Sequence, residues 1–422
     1  MFILKRFGGL WRHPDFLKLW AGQTVSLGGS LVSRIALPLV AILTLEASPS
    51  EVALLRVADL VPGIVIGLFA GVWVDRLRRR PLLIWADVGR AVLLGSIPLA
   101  ALLGLLRLAQ LLVVVFVAGM FTALFEVAYH AYLPTLVTRD ELVEGNSKLE
   151  ASGAAVEVAS FGLSGWLVQA LTAPIAVLVD AVSFAVSALC LGAIRRPEPP
   201  AHEPAADQTT WLAIREGLRL VCTDAVLRAL AGAHATLSFA LYLWLSMLLI
   251  FLTRDLGLPP TVYGVLFAIG GVCSLIGAMC AKRVEQRLGL GPTLVLTLCV
   301  TAAGLWLVPL AAGSFLQVVV LVAMQQLADG PATIFQIHER SLIQATVPTG
   351  SLGRVTASLR VLGWVAMLGG TVSGGLLGEA IGPRATMLVG AVAALPAVLW
   401  LVWSPVRSLP RPPAVISDAQ AS

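Results

Sequence analysis

The amino-acid sequence predicts an all-α membrane protein with about twelve transmembrane helices in two six-helix halves. Three observations carry that prediction. Of 422 residues, 58% are hydrophobic and only 13% charged, and the mean hydropathy is +0.89. A soluble domain carries roughly 25% charged residues, so this chain has far too much apolar surface for a water-exposed fold. Apolar runs also recur along the whole chain at the length that crosses a ~30 Å hydrocarbon core, roughly 20 residues in a helix. Finally, the basic residues gather in short clusters between those runs, on alternate connections.

Taken in order, the runs place spans near 17–45, 51–74, 82–106, 109–136, 148–170, 173–194, 226–252, 261–281, 292–312, 315–338, 354–378 and 382–403. The spans must be helices, because lipid offers no partner to the backbone groups of an open strand edge. Lys5, Arg6, Trp11, Arg12 and Lys18 precede the first run, which continues as a full span, so no cleavable signal peptide is expected. With the N-terminus inside, 23 of the 29 Lys and Arg fall on the cytoplasmic side. Arg56, Arg107, Arg254 and Arg384 fall outside, while Arg34 and Arg90 lie within spans. That asymmetry predicts a multi-pass protein of the inner (plasma) membrane with both termini cytoplasmic.

Residues 1–194 form the expected first half and 226–403 the second. Between them, 195–225 opens with Arg195, Arg196 and a Pro-rich run, then turns amphipathic through Trp211, Ile214, Leu218 and Val221. This predicts a cytoplasmic linker with a helix at the membrane surface. The Pro-rich segment 404–422 is expected to be a disordered tail. A weak repeat supports two halves: Gly145 opens a span containing Gly162 to Leu167, and Gly353 opens one containing Thr371 to Gly378.

Several functions are excluded at this stage. The formal charge of +5 lies in membrane-topology clusters rather than a nucleic-acid patch. Cys190, Cys222, Cys273, Cys280 and Cys299 are scattered without metal-ligand spacing. The sequence has no His-Glu-x-x-His pair, no Gly-x-Ser-x-Gly elbow and no Walker-type loop, so neither an intramembrane enzyme nor an ATP-driven pump is expected. No cofactor or metal is implied.

The connection between spans two and three reads Gly71, Val72, Trp73, Val74, Asp75, Arg76, Leu77, Arg78, Arg79, Arg80, Pro81. It resembles the major facilitator loop signature Gly-x-x-x-Asp-Arg-x-Gly-Arg-Arg at Gly71, Asp75, Arg76, Arg79 and Arg80, with Arg78 in place of the second glycine. Gly71 permits close helix approach. Asp75 can accept hydrogen bonds from a helix N-terminus in the opposite half, while the arginines hold it and anchor to the inner leaflet. The equivalent loop of the second half, from Gly277 to Lys282 and Arg283, lacks the Asp. Further strings (Leu19 to Gly28 in span one, Ala86, Asp87 and Arg90 in span three, Asp180, Ser183 and Phe184 in span six, Gly353 to Val355 at span eleven) are similar to the bacterial drug-efflux branch that includes macrolide and enterobactin exporters. The resemblance covers essentially the whole chain and implies export of amphiphilic compounds driven by proton entry. The chain departs from many drug–proton antiporters in lacking an Arg-x-x-Gln-Gly string in span four and a proline after Gly162.

Ionisable residues within spans cost about 2.5–3.5 kcal/mol each at a helix centre, so each needs a partner or a wet cavity. In the family fold, spans one, four, seven and ten line the central cavity. Here they carry Arg34, Glu126 with His130, His234, and Asp329. Arg34 and Glu126 are expected at similar depth and could form either a structural pair or a proton- or substrate-handling pair, with Glu157 as a competing partner. Asp180 either handles protons or hydrogen-bonds within its own half. Phe239, Tyr242, Trp244, Phe267 and Phe335 could form an aromatic substrate wall or be plain core and lipid contacts.

The leading expectation is therefore a monomeric secondary transporter exporting amphiphilic drugs or secondary metabolites by proton antiport, with the substrate, protons and membrane lipid as its partners. A siderophore or lysophospholipid carrier of the same fold is the alternative within transport. A non-transporting scaffold or receptor is the alternative of another class, and buried charge on all four cavity spans argues against it.

Overall fold

The computed structural model describes residues 9–74, 78–138, 141–196, 198 and 210–409. Its elements are helices throughout: α1 (Pro14–Leu39), α2 (Pro49–Val74), α3 (Arg79–Leu102), α4 (Leu108–Leu136), α5 (Leu142–Leu171), α6 (Ala173–Gly192), α7 (Thr210–Thr223), α8 (Ala225–Ile250), α9 (Pro260–Leu288), α10 (Leu290–Gly304), α11 (Phe315–Gln326), α12 (Asp329–Thr346), α13 (Thr349–Ile381) and α14 (Pro383–Val402). Among the described residues, nine helical segments are long and apolar enough to cross a membrane, α11 and α12 counting together as Phe315–Thr346. The limbs Glu144–Glu157 and Gly162–Leu171 of α5, bent by 49°, make a tenth. The remaining two predicted positions are held by α2 and the shorter α10.

Local chemistry sets the helix ends. Pro14, Pro49, Pro174, Pro260 and Pro383 stand in first turns, where a missing amide costs nothing. Asp224 caps α8 by accepting from the Val226 and Leu227 amides at 2.8 Å each. The bend in α5 falls where the Ser164 hydroxyl donates to the Ser160 carbonyl, beside Gly162, so the span bends without the proline of related signatures. The tenth span breaks at Leu327 and Ala328 because Pro331 has no amide to offer the Leu327 carbonyl.

The helices pack as two compact units. The first comprises the described parts of Met1–Ala47, Leu55–Asp207 and Pro259–Val265, the second those of Ser48–Leu54, Gln208–Leu258 and Leu266–Ser422. In the first, α6 lies against α1 and α3, with α4 on α3 and α5 on α1; in the second, α8 lies against α13 and α14, with α10 on α12 and α14. One buried cluster of the first unit joins Phe16, Leu19, Leu83, Tyr132 and Leu191, and its counterpart in the second joins Leu230, Leu294, Phe335, Leu401 and Val406.

The repeat between halves is sharper in the backbone than in the sequence. Both α1 and α8 end in a π turn, Val40–Thr44 and Phe251–Asp255. In each, the second residue after the π turn has positive φ (Glu46 at 52°, Gly257 at 61°), and the next amide reaches back to Ala41 or Leu252 at 2.8 and 2.9 Å. Likewise Thr172, between α5 and α6, and Gly382, between α13 and α14, share one conformation, φ 82° with ψ 155° and φ 83° with ψ 163°. That region suits glycine, and only one member of each pair is glycine.

The linker's amphipathic stretch forms a helix, α7, that packs on α13, with Val221 buried beside Val355 and Arg354 paired to Glu216. One sequence expectation needs correction. Pro405–Ser408, assigned from sequence to a disordered tail, is a 3-10 turn with Val406 fully buried, and the Leu409 carbonyl accepts from the Gly291 amide at 2.9 Å.

Candidate functional site

The loop signature is only partly within the described residues. Gly71 belongs to the last turn of α2, while Asp75 and Arg76 lie outside the described residues. Arg79 and Arg80 open α3, and their amides donate to the Glu198 carboxylate at 2.6 and 3.1 Å. The Arg80 guanidinium donates to the carbonyls of Leu191 and Gly192 at 2.9 and 2.6 Å, closing the end of α6 where unpaired carbonyls concentrate negative charge. Arg80 therefore ties helix ends within its own unit. In the second unit, Gly277 of α9 has no side chain because a Cβ there would run into the Gly330 carbonyl of α12. Eight residues on, Glu285 of the same helix meets His338 Nε2 at 3.2 Å, so an acid remains near this loop although the signature Asp does not.

The predicted pairing of Arg34 with Glu126 is not present. Arg34 on α1, Glu126 on α4 and Glu157 on α5 are all uncovered by protein, and no salt bridge joins them among the described residues. Arg34 sits one turn before Pro38, so its carbonyl lacks the usual helical amide. His130 is on α4, and its side chain lies outside what is described.

The most deeply buried charge of the first unit lies elsewhere, on α3 and α6. Asp87 and Arg90, one turn apart on α3, are 0% and 5% exposed and form a short ion pair. The Arg90 guanidinium is held between two aromatic rings, 4.4 Å from the centroid of Phe125 and 4.0 Å from that of Phe184. Asp180 of α6 is 2% exposed, and its Oδ1 lies 3.4 Å from Ser30 Oγ of α1 and 3.2 Å from Ser183 Oγ. Four helices, α1, α3, α4 and α6, thus converge on one guanidinium and two carboxylates. The spacing of Asp87 and Arg90 inside an apolar run was the available signal for this pair; its relation to Asp180 was not legible.

In the second unit, Asp329 opens α12 at the break in span ten. Its carbonyl accepts from Thr333 Oγ1 at 2.9 Å, and its carboxylate packs over Gly270 of α9. His234 of α8 meets the buried Glu339 of α12, Nδ1 to Oε1 3.1 Å. Of the five aromatic candidates, Phe239, Tyr242 and Phe267 are partly covered. Trp244 and Phe335 are each 2% exposed, and the Trp244 ring N–H donates to the Leu305 carbonyl at 2.9 Å. These two are core side chains, Phe335 within the buried cluster of α8, α10, α12 and α14 and Trp244 against Gly390 of α14. Among the described residues no group of three or more His, Cys, Asp or Glu could hold a metal ion.

The described residues form two all-helical units with buried charge inside apolar spans, the architecture of a multi-pass membrane protein, and comparison with known proteins places it among major facilitator transporters. The chain belongs to the transmembrane secretion effector family, whose sequence profile matches residues 9–416. It is similar to the multidrug efflux pump Tap of Mycolicibacterium fortuitum, 28% identical over 89% of this chain and 92% of that protein. It is also similar to the uncharacterized MFS-type transporter YfiS of Bacillus subtilis (strain 168), 26% identical over 89% and 90%. Among solved structures, a bacterial homologue of the iron transporter ferroportin in its inward-facing state superposes with a TM-score of 0.76 at 20% identity, covering 94% of this chain and 99% of that one. The nucleoside transporter NupG (a D323A mutant) superposes with a TM-score of 0.73 at 12% identity, over 93% and 99%. At such identities these likenesses establish the fold.

Proposed function

We propose that this transporter exports amphiphilic drugs or secondary metabolites, driven by proton entry. The observation that carries the reading is the match to Tap along nearly its whole length. Charged groups inside the spans support it, since each is costly in lipid and is retained where a charge or proton must be handled. In this reading Arg34, Glu126, His130, Glu157, Asp180 and Asp329 supply the proton-coupling and cavity groups, and Phe239, Tyr242 and Phe267 offer apolar contact to the substrate. Gly71, Asp75, Arg76, Arg79 and Arg80 govern the change of state at the cytoplasmic side. The protein works as a monomer in the plasma membrane with both termini cytoplasmic.

The test is a susceptibility panel of amphiphilic compounds in a pump-deficient host, with and without an uncoupler. Raised tolerance to some compounds, abolished by the uncoupler, is the expected result. Unchanged tolerance across amphiphilic drugs, with transport of a siderophore or lysophospholipid instead, would replace the substrate class. Tolerance that survives the uncoupler would remove the proton from the mechanism.

A further inference from the structure

We propose that Asp180 is a buried proton-binding carboxylate whose proton allows α1 to pack directly on α6. The argument begins with a charge count. Asp87, Arg90 and Asp180 are all at most 5% exposed, and they comprise two carboxylates and one guanidinium. If both carboxylates are ionised, one unit of negative charge is left inside a membrane-spanning bundle. A buried carboxylate in that position takes up a proton rather than bear the desolvation cost. The other charged groups on the packed helices do not supply the missing cation. Glu126 of α4 adds negative charge near Arg90, Arg34 of α1 and Glu157 of α5 are uncovered, and α1 presents only hydroxyls to Asp180.

Hydrogen bonding identifies the carboxylate that takes the proton. Asp87 is held by Arg90. Asp180 has only hydroxyl donors, and the nearer of them is already committed, since Ser183 Oγ donates to the Asp180 carbonyl at 2.8 Å and lies 3.2 Å from the carboxylate. Ser30 is longer still, at 3.4 Å, and the buried Ser33 Oγ of α1, which also faces the carboxylate, comes within hydrogen-bond distance of no group among the described residues. An ionised Asp180 would therefore be under-supplied with donors, whereas a neutral acid can itself donate to a serine oxygen. Arg90 Nε and Asp87 Oδ2, both buried, have no hydrogen-bond partner among the described residues, so Arg90 retains a donor it could turn toward Asp180 after deprotonation.

The link to packing is Gly29. A Cβ at that position would overlap Ser183 Oγ and fall 2.8 Å from Asp180 Oδ1, so α1 closes over the carboxyl by its glycine face. Loss of the proton would turn Arg90 toward Asp180 and leave a charge beneath the glycine face of α1, so α1 is expected to move off α6. This deepens the proposed proton coupling and rests on that reading for its meaning in transport. The protonation itself can be tested without any transport measurement. Infrared difference spectra of the purified protein in lipid vesicles, with pH stepped upward from neutral, should show the loss of one protonated-carboxyl band. That band should be missing in Asp180→Asn and present in the paired variant Arg90→Met with Asp87→Leu, which removes the guanidinium together with its partner and leaves Asp180 neutral. No such band in the wild type, or an undiminished band in Asp180→Asn, would overturn the proposal. Should Asp180→Asn not accumulate, Asp180→Glu must shift the band, and an unshifted band would equally overturn it. Gly29→Ala should speed hydrogen–deuterium exchange of the same carboxyl at least several-fold. Unchanged exchange there would overturn the link to α1.

Discussion

Replacing Arg90 with Met is the most direct test of what holds the first unit together. The side chain is 5% exposed and its partner Asp87 is fully buried, so the substitution strands a carboxylate with no route to water. Removing one partner of a buried ion pair costs about 3–5 kcal/mol. Stacking on Phe125 and Phe184 contributes roughly 0.5–2 kcal/mol per ring, part of which Met retains as apolar contact. Because these contributions share one side chain they do not add fully, and a total near ~5 kcal/mol is expected. For a folding unit of roughly 200 residues that corresponds to a fall of about 10–20 °C in the thermal midpoint. The assay is the fraction of detergent-purified protein that stays monodisperse after heating. The paired variant Arg90→Met with Asp87→Leu should recover most of the loss, since it leaves a neutral, apolar site around a protonated Asp180. A single variant within roughly 3 °C of wild type would refute the reasoning, as would a double variant no better than the single.

Three further outcomes follow from the same structure. Thr172→Gly should raise the thermal midpoint, because φ 82° with ψ 155° costs a β-branched residue about 1–3 kcal/mol, against about 0.5–1 kcal/mol of added chain entropy for glycine; no gain, or no loss in Gly382→Thr, would contradict the shared conformation. His234→Phe should destabilise the second unit by about 1–3 kcal/mol by leaving the buried Glu339 unpaired, and adding Glu339→Gln should restore most of it in the same heating assay; a double variant that stays unstable would assign the loss to packing. In a cysteine-free background, cysteines at Ser50 and Ser314 should label from outside, and those at Thr209 and Ser408 only after permeabilisation; labelling of position 209 in intact cells would reverse the orientation inferred from the basic residues.

The spans were legible because a bilayer imposes a length: an apolar run of sufficient size, bounded by basic residues or proline, has few other solutions. The break in span ten was legible in principle as well, since Asp329, Gly330 and Pro331 stand together in an apolar run. Sequence also carried the loop signature, through residue types at fixed spacing. Partners on different helices were not legible. Asp87 and Asp180 lie on α3 and α6, and only the packed unit brings them to the same arginine.

Arg34 and Glu126 show why. Counting residues from the end of a span gives depth, and the two were paired because their depths agree. A contact also requires the two side chains to face each other, and in a transmembrane helix the pattern that reveals facing is weak. In a soluble helix, polar residues mark the solvent side. In lipid, the core face, the lipid face and an apolar wall are all built from the same residues. Trp244 and Phe335 could be read as wall or as core for that reason, and both are buried. Small and polar residues break the ambiguity, because neither benefits from facing lipid. Gly29, Ser30 and Ser33 on α1, Asp87 and Arg90 on α3, and Asp180, Ser183 and Ser187 on α6 are such residues, and each of these sets falls at the one-turn spacing of a single helix face. Read as faces rather than as depths, they would have pointed to the α1–α3–α6 contact, where the structure places the buried charge.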